Sequence, residues 1–313
     1  MRTIIFTLLL SISVSTLLAQ DFYLNANGVT CMCPDATFGD TGVVNGITYT
    51  KRTREQITEA NAATTCTSGI TNMFQLFADE NATSFNQDIS SWDVSIVIDM
   101  GFMFFNAFAF NQDISSWNVS KVINMGGMFF DATSFNQPIG GWDVSNVNEM
   151  GQMFHTSGFN QDIGDWDVSN VANMAGMFKE NDSFNQNIGS WDVNSVTGMR
   201  SIFRSTINFN QDLSSWDVSN VTNMELMFFQ TALSTENYDN ILIGWAALEG
   251  KEEDVTLGAQ ASNYCLGAAA RATMEQLLNW TFNDAGLDCN GLSTEDYLNS
   301  ESITIFPNPT NDF

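Results

Sequence analysis

The chain has 313 residues, 36 acidic against 10 basic side chains for a formal charge of −26, and 44% hydrophobic residues. That composition excludes an intrinsically disordered chain, and the charge argues against nucleic acid or anionic lipid as partners, since both are held through Lys and Arg. It suits solubility outside the cell, or the binding of cations.

In chain order, residues 1–19 read as a secretory signal peptide. Arg2 supplies the positive start, Ile4 to Leu18 the apolar core and Ala19 the small residue for cleavage, leaving Gln20 as the new N-terminus. The apolar run is too short to span a bilayer. Beyond it, Val43-Val44-Asn45-Gly46-Ile47-Thr48 reads as a tight hairpin, because Asn-Gly accepts the positive φ angles of a two-residue turn. Export carries Cys31, Cys33, Cys66, Cys265 and Cys289 into an oxidising compartment, where disulfides are the default. Cys265 with Cys289 is the natural C-terminal pair. Cys66 can pair with Cys33 or Cys31, leaving one odd thiol; Cys33–Cys66 is the expected bond. A zinc site is excluded by ligand count, because His155 is the single histidine and lies far off in sequence.

The middle of the chain is an internal repeat. FNQ recurs with its Phe at 85, 110, 135, 159, 184 and 209, and Trp follows at 92, 117, 142, 166, 191 and 216. Methionines then fall at 100, 125, 150, 174, 199 and 224, so the chain holds six tandem repeats of about 25 residues, one of them 24. A degenerate copy begins at Asn72-Met73. Within a unit the pattern changes period. Trp117 and Val119 alternate as in a strand, whereas Met125, Met128, Phe129 and Ala132 follow the i, i+3, i+4, i+7 stripe of a two-turn helix. Asp99, Asn124, Asn173 and Asn223 precede their stripes where an N-cap belongs. The expected fold class is therefore an α/β solenoid, a stack of six strand–turn–short-helix repeats, since one unit is too small to pay for its own ordering.

Eleven of the 15 methionines occupy two repeat positions. Their helical spacing assigns them to the core rather than to a metal or cofactor array, and no cofactor is expected. The ladder Asn86, Asn111, Asn136, Asn160, Asn185 and Asn210 reads as structural, bonding backbone at turns. Asp93, Asp143, Asp167, Asp192 and Asp217 share one position, interrupted by Asn118; a second ladder is formed by Asp88, Asp113, Asp162 and Asp212. Stacked carboxylates could hold calcium. Because Asn replaces Asp in both ladders, an acceptor oxygen for turn capping is the preferred reading.

The unit FNQDISSWDVSNVTNM-x-x-MF resembles the bacterial-surface-protein repeat of BspA-like leucine-rich-repeat surface proteins. The resemblance covers roughly residues 72–229 and implies a leucine-rich-repeat-like curved stack and a secreted or cell-surface location. The flanks resemble the caps of such arrays. The implied organisation is an N-terminal cap with hairpin and helix (20–71), the repeats (72–233), a C-terminal cap (234–290), a linker (291–301) and a final segment (302–313). In the C-terminal cap, helices are expected from about Thr235 and over Ala268–Trp280, with short strands at Val255–Leu257 and Thr281–Phe282. The final segment, with its Pro307-Asn308-Pro309 turn, is similar to the opening of the type IX C-terminal sorting domain. That similarity implies the type IX export machinery as a partner.

No catalytic constellation is legible: there is no phosphate loop and no zinc-protease motif, and His155 sits at a variable repeat position that reads as exposed surface. The functional expectation is a non-enzymatic binding or adhesion protein for a protein or glycan at the cell surface. A structural spacer is the alternative, and a calcium-dependent glycan-binding or glycan-degrading protein a distant one. The candidate partner-facing residues are Phe105, Phe130, His155, Lys179, Arg204 and Phe229, which vary while the framework repeats. Stacked at about 4.8 Å per step they would form a stripe of about 24 Å. Their neighbours Asn106, Asp131, Thr156, Glu180, Ser205 and Gln230 vary too.

Overall fold

The computed structural model describes residues 21–78 and 82–290. The signal peptide, linker and sorting-domain segments expected from the sequence lie outside these residues. Regular structure is confined to the two ends. At the N-terminal end, β1 (Tyr23–Leu24) pairs antiparallel with β2 (Cys31–Met32). A second sheet has the order β3 (Thr41–Val44), β4 (Ile47–Lys51), β5 (Thr65–Cys66). Asn45 and Gly46, at φ 50° and 80°, turn β3 into β4, as a two-residue hairpin with both central residues left-handed requires. The helix expected here is absent; the segment forms only 3-10 turns, Arg54–Gln56 and Glu59–Thr64. Cys33 is bonded to Cys66 across a Cα–Cα distance of 6.4 Å. The buried Lys51 ammonium donates to the carbonyls of Cys33, Pro34 and Ala36 at 2.8 to 3.0 Å, so its charge is met by three dipoles.

At the other end, α1 (Thr235–Ala246) is capped by Ser234, whose hydroxyl accepts from the Asn237 N–H. It is followed by β6 (Thr256–Tyr264), α2 (Ala268–Leu278) and β7 (Thr281–Leu287). β6 and β7 lie parallel, and both are longer than the short strands expected. The Asp239 carboxylate, on α1, accepts the N–H groups of Cys265, Leu266 and Gly267. Cys265 is bonded to Cys289.

The α/β solenoid expected from the sequence is overturned. Between Phe85 and Leu233 there is neither a helix nor a strand, and the regular elements form small separate sheets and two helices outside that segment. The run from Met100 to Ala107 shows why. Met103, Phe105 and Ala107 donate to the carbonyls three residues back, at 3.0 to 3.1 Å, which are turn bonds. The N–H groups of Met100, Phe102, Phe104 and Asn106 instead donate to Asn124, Gly126, Met128 and Phe130 of the next repeat, each at 2.9 Å. A helix would need those donors for itself. Two residues per repeat also sit in the left-handed region, where a helix cannot continue: Phe102 and Asn106 at φ 53° and 61°, Gln152 and Thr156 at 59° and 52°. The Trp–Val half is likewise cut by turns, with Trp92 donating to Ile89 and Val97 to Val94.

The repeats are nevertheless in register. Single-residue parallel bridges run Asn72, Asp99, Asn124, Glu149, Asn173, Gly198, Asn223, and a last one joins Met224 to Leu257 of β6. From Asn86 to Asn185, each asparagine of the FNQ ladder accepts, on Oδ1, the backbone N–H of the asparagine in the next repeat, as Asn111 does from Asn136 at 3.0 Å. From Trp117 to Trp216, each tryptophan indole N–H donates to a carbonyl one repeat back, Trp142 to Ile114 at 3.2 Å, and Trp92 donates to Ala62 of the N-terminal cap. Successive rings stack almost parallel, Trp117 and Trp142 at 6.5 Å and 3°. One core of buried side chains runs unbroken from Ile57 to Phe282.

Two expectations follow. Among the described residues α-helix is confined to two segments, of 12 and 11 residues, so a far-UV circular dichroism signal requiring six more two-turn helices would contradict this architecture. Trp142→Ala, at a side chain 4% exposed, should cost about 3–5 kcal/mol in denaturant unfolding.

Candidate functional site

Within each run of turns the apolar pattern fixes which side chains face outward. Met100, Met103, Phe104 and Ala107 are fully buried, whereas Phe102, Phe105 and Asn106 are half-buried and reach the surface, with Gly101 packed beneath. The same positions recur in every repeat and stack into one face. The predicted stripe lies on it: Phe105, Phe130, Lys179, Arg204 and Phe229 are half-buried there. Their rings touch in sequence, Phe105 to Phe130 at 5.1 Å and Phe130 to His155 edge-on at 4.1 Å.

His155 is the correction within the stripe. It is 7% exposed rather than on the open surface, because it is packed on Phe130 and covered by its neighbours on the same face. Its Nε2 lies 3.6 Å from Glu180, beyond hydrogen-bond reach, so neither ring nitrogen is hydrogen-bonded among the described residues. Burial lowers its pKa, and the Lys179 charge adds to this; Glu180 and Asp131 oppose.

The remaining face residues were not singled out from the sequence. Phe102 continues the aromatic row, 5.9 Å from Phe105 and 6.1 Å from Phe74. Its ring lies over Gly127, where a Cβ would collide with it. Beyond Phe102 a cleft of about 550 Å³ crosses the stacked repeats, floored by Gly126, Gly151 and Gly176 and walled by Glu149, Gln152, Lys179, Arg200 and Arg204. The signal was present: the two residues between the paired methionines read Gly-Phe, Gly-Gly, Gly-Gln, Ala-Gly, Arg-Ser and Glu-Leu through the repeats, varying as much as the stripe does.

Charges in the cleft are partly paired. Lys179 lies 3.4 Å from Glu180, and Arg200 lies 3.5 Å from Glu225, with the second pair's side chains 57% and 50% exposed. The Arg204 guanidinium sits 5.8 Å over the Phe229 ring, and its buried Nε has no hydrogen-bond partner among the described residues.

The calcium candidates are engaged in turns. Asp143 and Asp167 each accept on Oδ1 the N–H and the hydroxyl of the serine two residues on, and Asp192 and Asp217 accept the N–H of residues 194 and 219. Asn118 makes the same contacts with Ser120. Asp93, the first of the series, is buried and also accepts from the Ser68 hydroxyl of the N-terminal cap at 2.7 Å. No group of three or more His, Cys, Asp or Glu side chains is arranged to hold a metal among the described residues. The unpaired Cys31 is buried, and burial together with the nearby Asp93 charge pushes its thiol up to about 12, far from a reactive thiolate at neutral pH.

The histidine gives a pH prediction with a definite sign. Because the fold lowers its pKa below the ordinary 6.5, the unfolded chain takes up the proton first as pH falls. Wild type should therefore lose stability below about pH 6.5 relative to His155→Phe, which places the residue of positions 105, 130 and 229 there. Denaturation midpoints of the two proteins measured from pH 8 to 5 should diverge only below that point.

Comparison with known families gives one match. The family described as "Mycoplasma protein of unknown function, DUF285" matches residues 48–158 and again 140–241, together more than half of the chain. No curated protein and no solved structure matches. The architecture of turn-built, in-register repeats is thus the structure of a DUF285 chain, and the protein belongs to that family.

Proposed function

We propose that this chain is an exported, non-enzymatic binding protein that presents its repeat face to a protein or glycan partner at the cell surface. The carrying observation is the contrast between framework and face. The buried Phe, Trp, Val and Met positions repeat almost unchanged, whereas the outward pairs change chemistry at every repeat and gather half-buried aromatics beside charges. A spacer needs no such variety. Binding surfaces use aromatic and Arg anchors of this kind. The signal-peptide pattern of residues 1–19, the two disulfides and the resemblance to BspA-like surface repeats support an extracellular setting. The similarity of residues 302–313 to a type IX sorting domain supports that export route.

The test is a binding screen of the mature chain against arrayed extracellular proteins and glycans, in wild-type form and with Phe105, Phe130 and Phe229 changed together to Ser. The variant should lose at least tenfold in affinity for any partner found while keeping its far-UV spectrum. A partner whose affinity is unchanged by the triple substitution places recognition elsewhere on the molecule, and a wild-type chain that binds nothing on the arrays favours the spacer.

A further inference from the structure

Between residues 82 and 233 the chain carries only four Lys or Arg side chains, Lys121, Lys179, Arg200 and Arg204, and three of the four line the cleft described above. In a protein of charge −26, that gathering marks the place where an anionic group is stabilised. Lys179 and Arg200 each lean on one surface carboxylate, pairs that contribute little when exposed and are open to competition. Arg204 has no such pair, and its Nε is buried and unpartnered among the described residues. A planar guanidinium with free donors is matched by a carboxylate, which takes two parallel N–H bonds.

The remaining walls restrict what carries that carboxylate. At the opposite end of the cleft stands the half-buried ring of Phe102, whose electron-rich face suits an aliphatic C–H surface. Between the two ends lie the Gln152 amide, which has no side-chain hydrogen bond among the described residues, and Glu149, whose carboxylate holds Asn173 and the Gly151 N–H. These groups offer donors and acceptors side by side, as a hydroxyl-bearing ligand needs. An extended peptide would seek backbone partners, and the floor has none to give. The N–H groups of Phe102, Gly127, Gln152 and Gly176 are already bonded to the carbonyls of Gly126, Gly151, Ala175 and Arg200 at 2.8 to 2.9 Å. A polyanion is disfavoured by the −26 charge of the whole chain, so the ligand's charge must be sparse. The volume, about 550 Å³, falls within the roughly 300–1,000 Å³ that encloses a small ligand.

We infer that the cleft binds a short oligosaccharide bearing a single carboxylate, with the acid at Arg204 and Arg200, a sugar face on Phe102 and hydroxyls at Gln152 and Glu149. This rests on the reading of the repeat face as a binding surface and names the ligand class for one part of it.

The experiment is a calorimetric titration of the full disulfide-bonded chain with defined probes. These are a trisaccharide ending in sialic acid, a disaccharide ending in glucuronic acid, the neutral parent of each, and a tetraglutamate peptide. At least one acidic sugar should bind ten times or more tightly than its neutral parent. Arg204→Gln and Phe102→Ala should each weaken it at least tenfold while keeping the wild-type far-UV spectrum and a cooperative melting transition, and added salt should weaken it too. Equal binding of acidic and neutral sugars, or no binding by any sugar, overturns the inference. Preferential binding of tetraglutamate overturns the sugar while leaving the cleft as a binding site. A partner lost in the Phe105/Phe130/Phe229 variant but kept in Arg204→Gln supports the wider face and counts against the cleft, so the two readings fail separately.

Discussion

The rest of the structure depends on how the backbone N–H groups of each turn run are divided. Every second donor closes a turn within its own repeat, and the others cross to a carbonyl of the next repeat. That division requires a left-handed residue at two points per repeat, a conformation costing about 1–2 kcal/mol for most residue types. It is sustained because the donors it turns outward would otherwise be buried without partners. Glycine bears the strain easily at 127 and 176, whereas Phe102 and Leu226 hold the same conformation through their neighbours alone. The side-chain ladders then follow, since equal spacing brings Asn over Asn, Trp over Trp and Phe over Phe.

Which side chains are inside was legible from the sequence; how the backbone puts them there was not. Met125, Met128, Phe129 and Ala132 are all buried, as the i, i+3, i+4, i+7 spacing requires. Linked three-residue turns bury that same set, so periodicity alone cannot separate them from a helix. The discriminating residues lay between the apolar ones. Gly126-Gly127 after Met125 and Asp131 before Ala132 are poor in a two-turn helix and suited to positive φ. The flanks were more readable, because α1 and α2 begin where the spacing put them and have the length to show a full amphipathic pattern.

The geometry of the candidate face was half legible for a related reason. Variation against a fixed framework pointed to Phe105, Phe130, His155, Lys179, Arg204 and Phe229, and the structure sets these in one line. The second outward pair was missed because it falls between two methionines that a helical reading turns toward the core. Only the turn geometry exposes it and brings Phe102 and Arg200 to the same cleft. His155 went the other way. Its variable position suggested solvent, but an imidazole is small enough for the Phe130 ring and the Lys179–Glu180 pair to enclose.

Near-identical repeats create a hazard that the caps resolve. A chain that paired one whole repeat out of step would still satisfy almost every asparagine, tryptophan and turn bond, because each neighbour offers the same partners. Slippage is ruled out at the two ends, where the contacts are unique. Asp93 of the first repeat is bonded by Thr67 and Ser68, beside the Cys33–Cys66 bond. Asn210 of the last is met by Ser234 and Asn237 rather than by another Asn-Gln pair. The short repeat ending at Gly158 adds an internal mark, since it can face its neighbours without a gap in one alignment alone. The two caps therefore set the reading frame for the whole ladder, each by a handful of contacts that no repeat can offer to another.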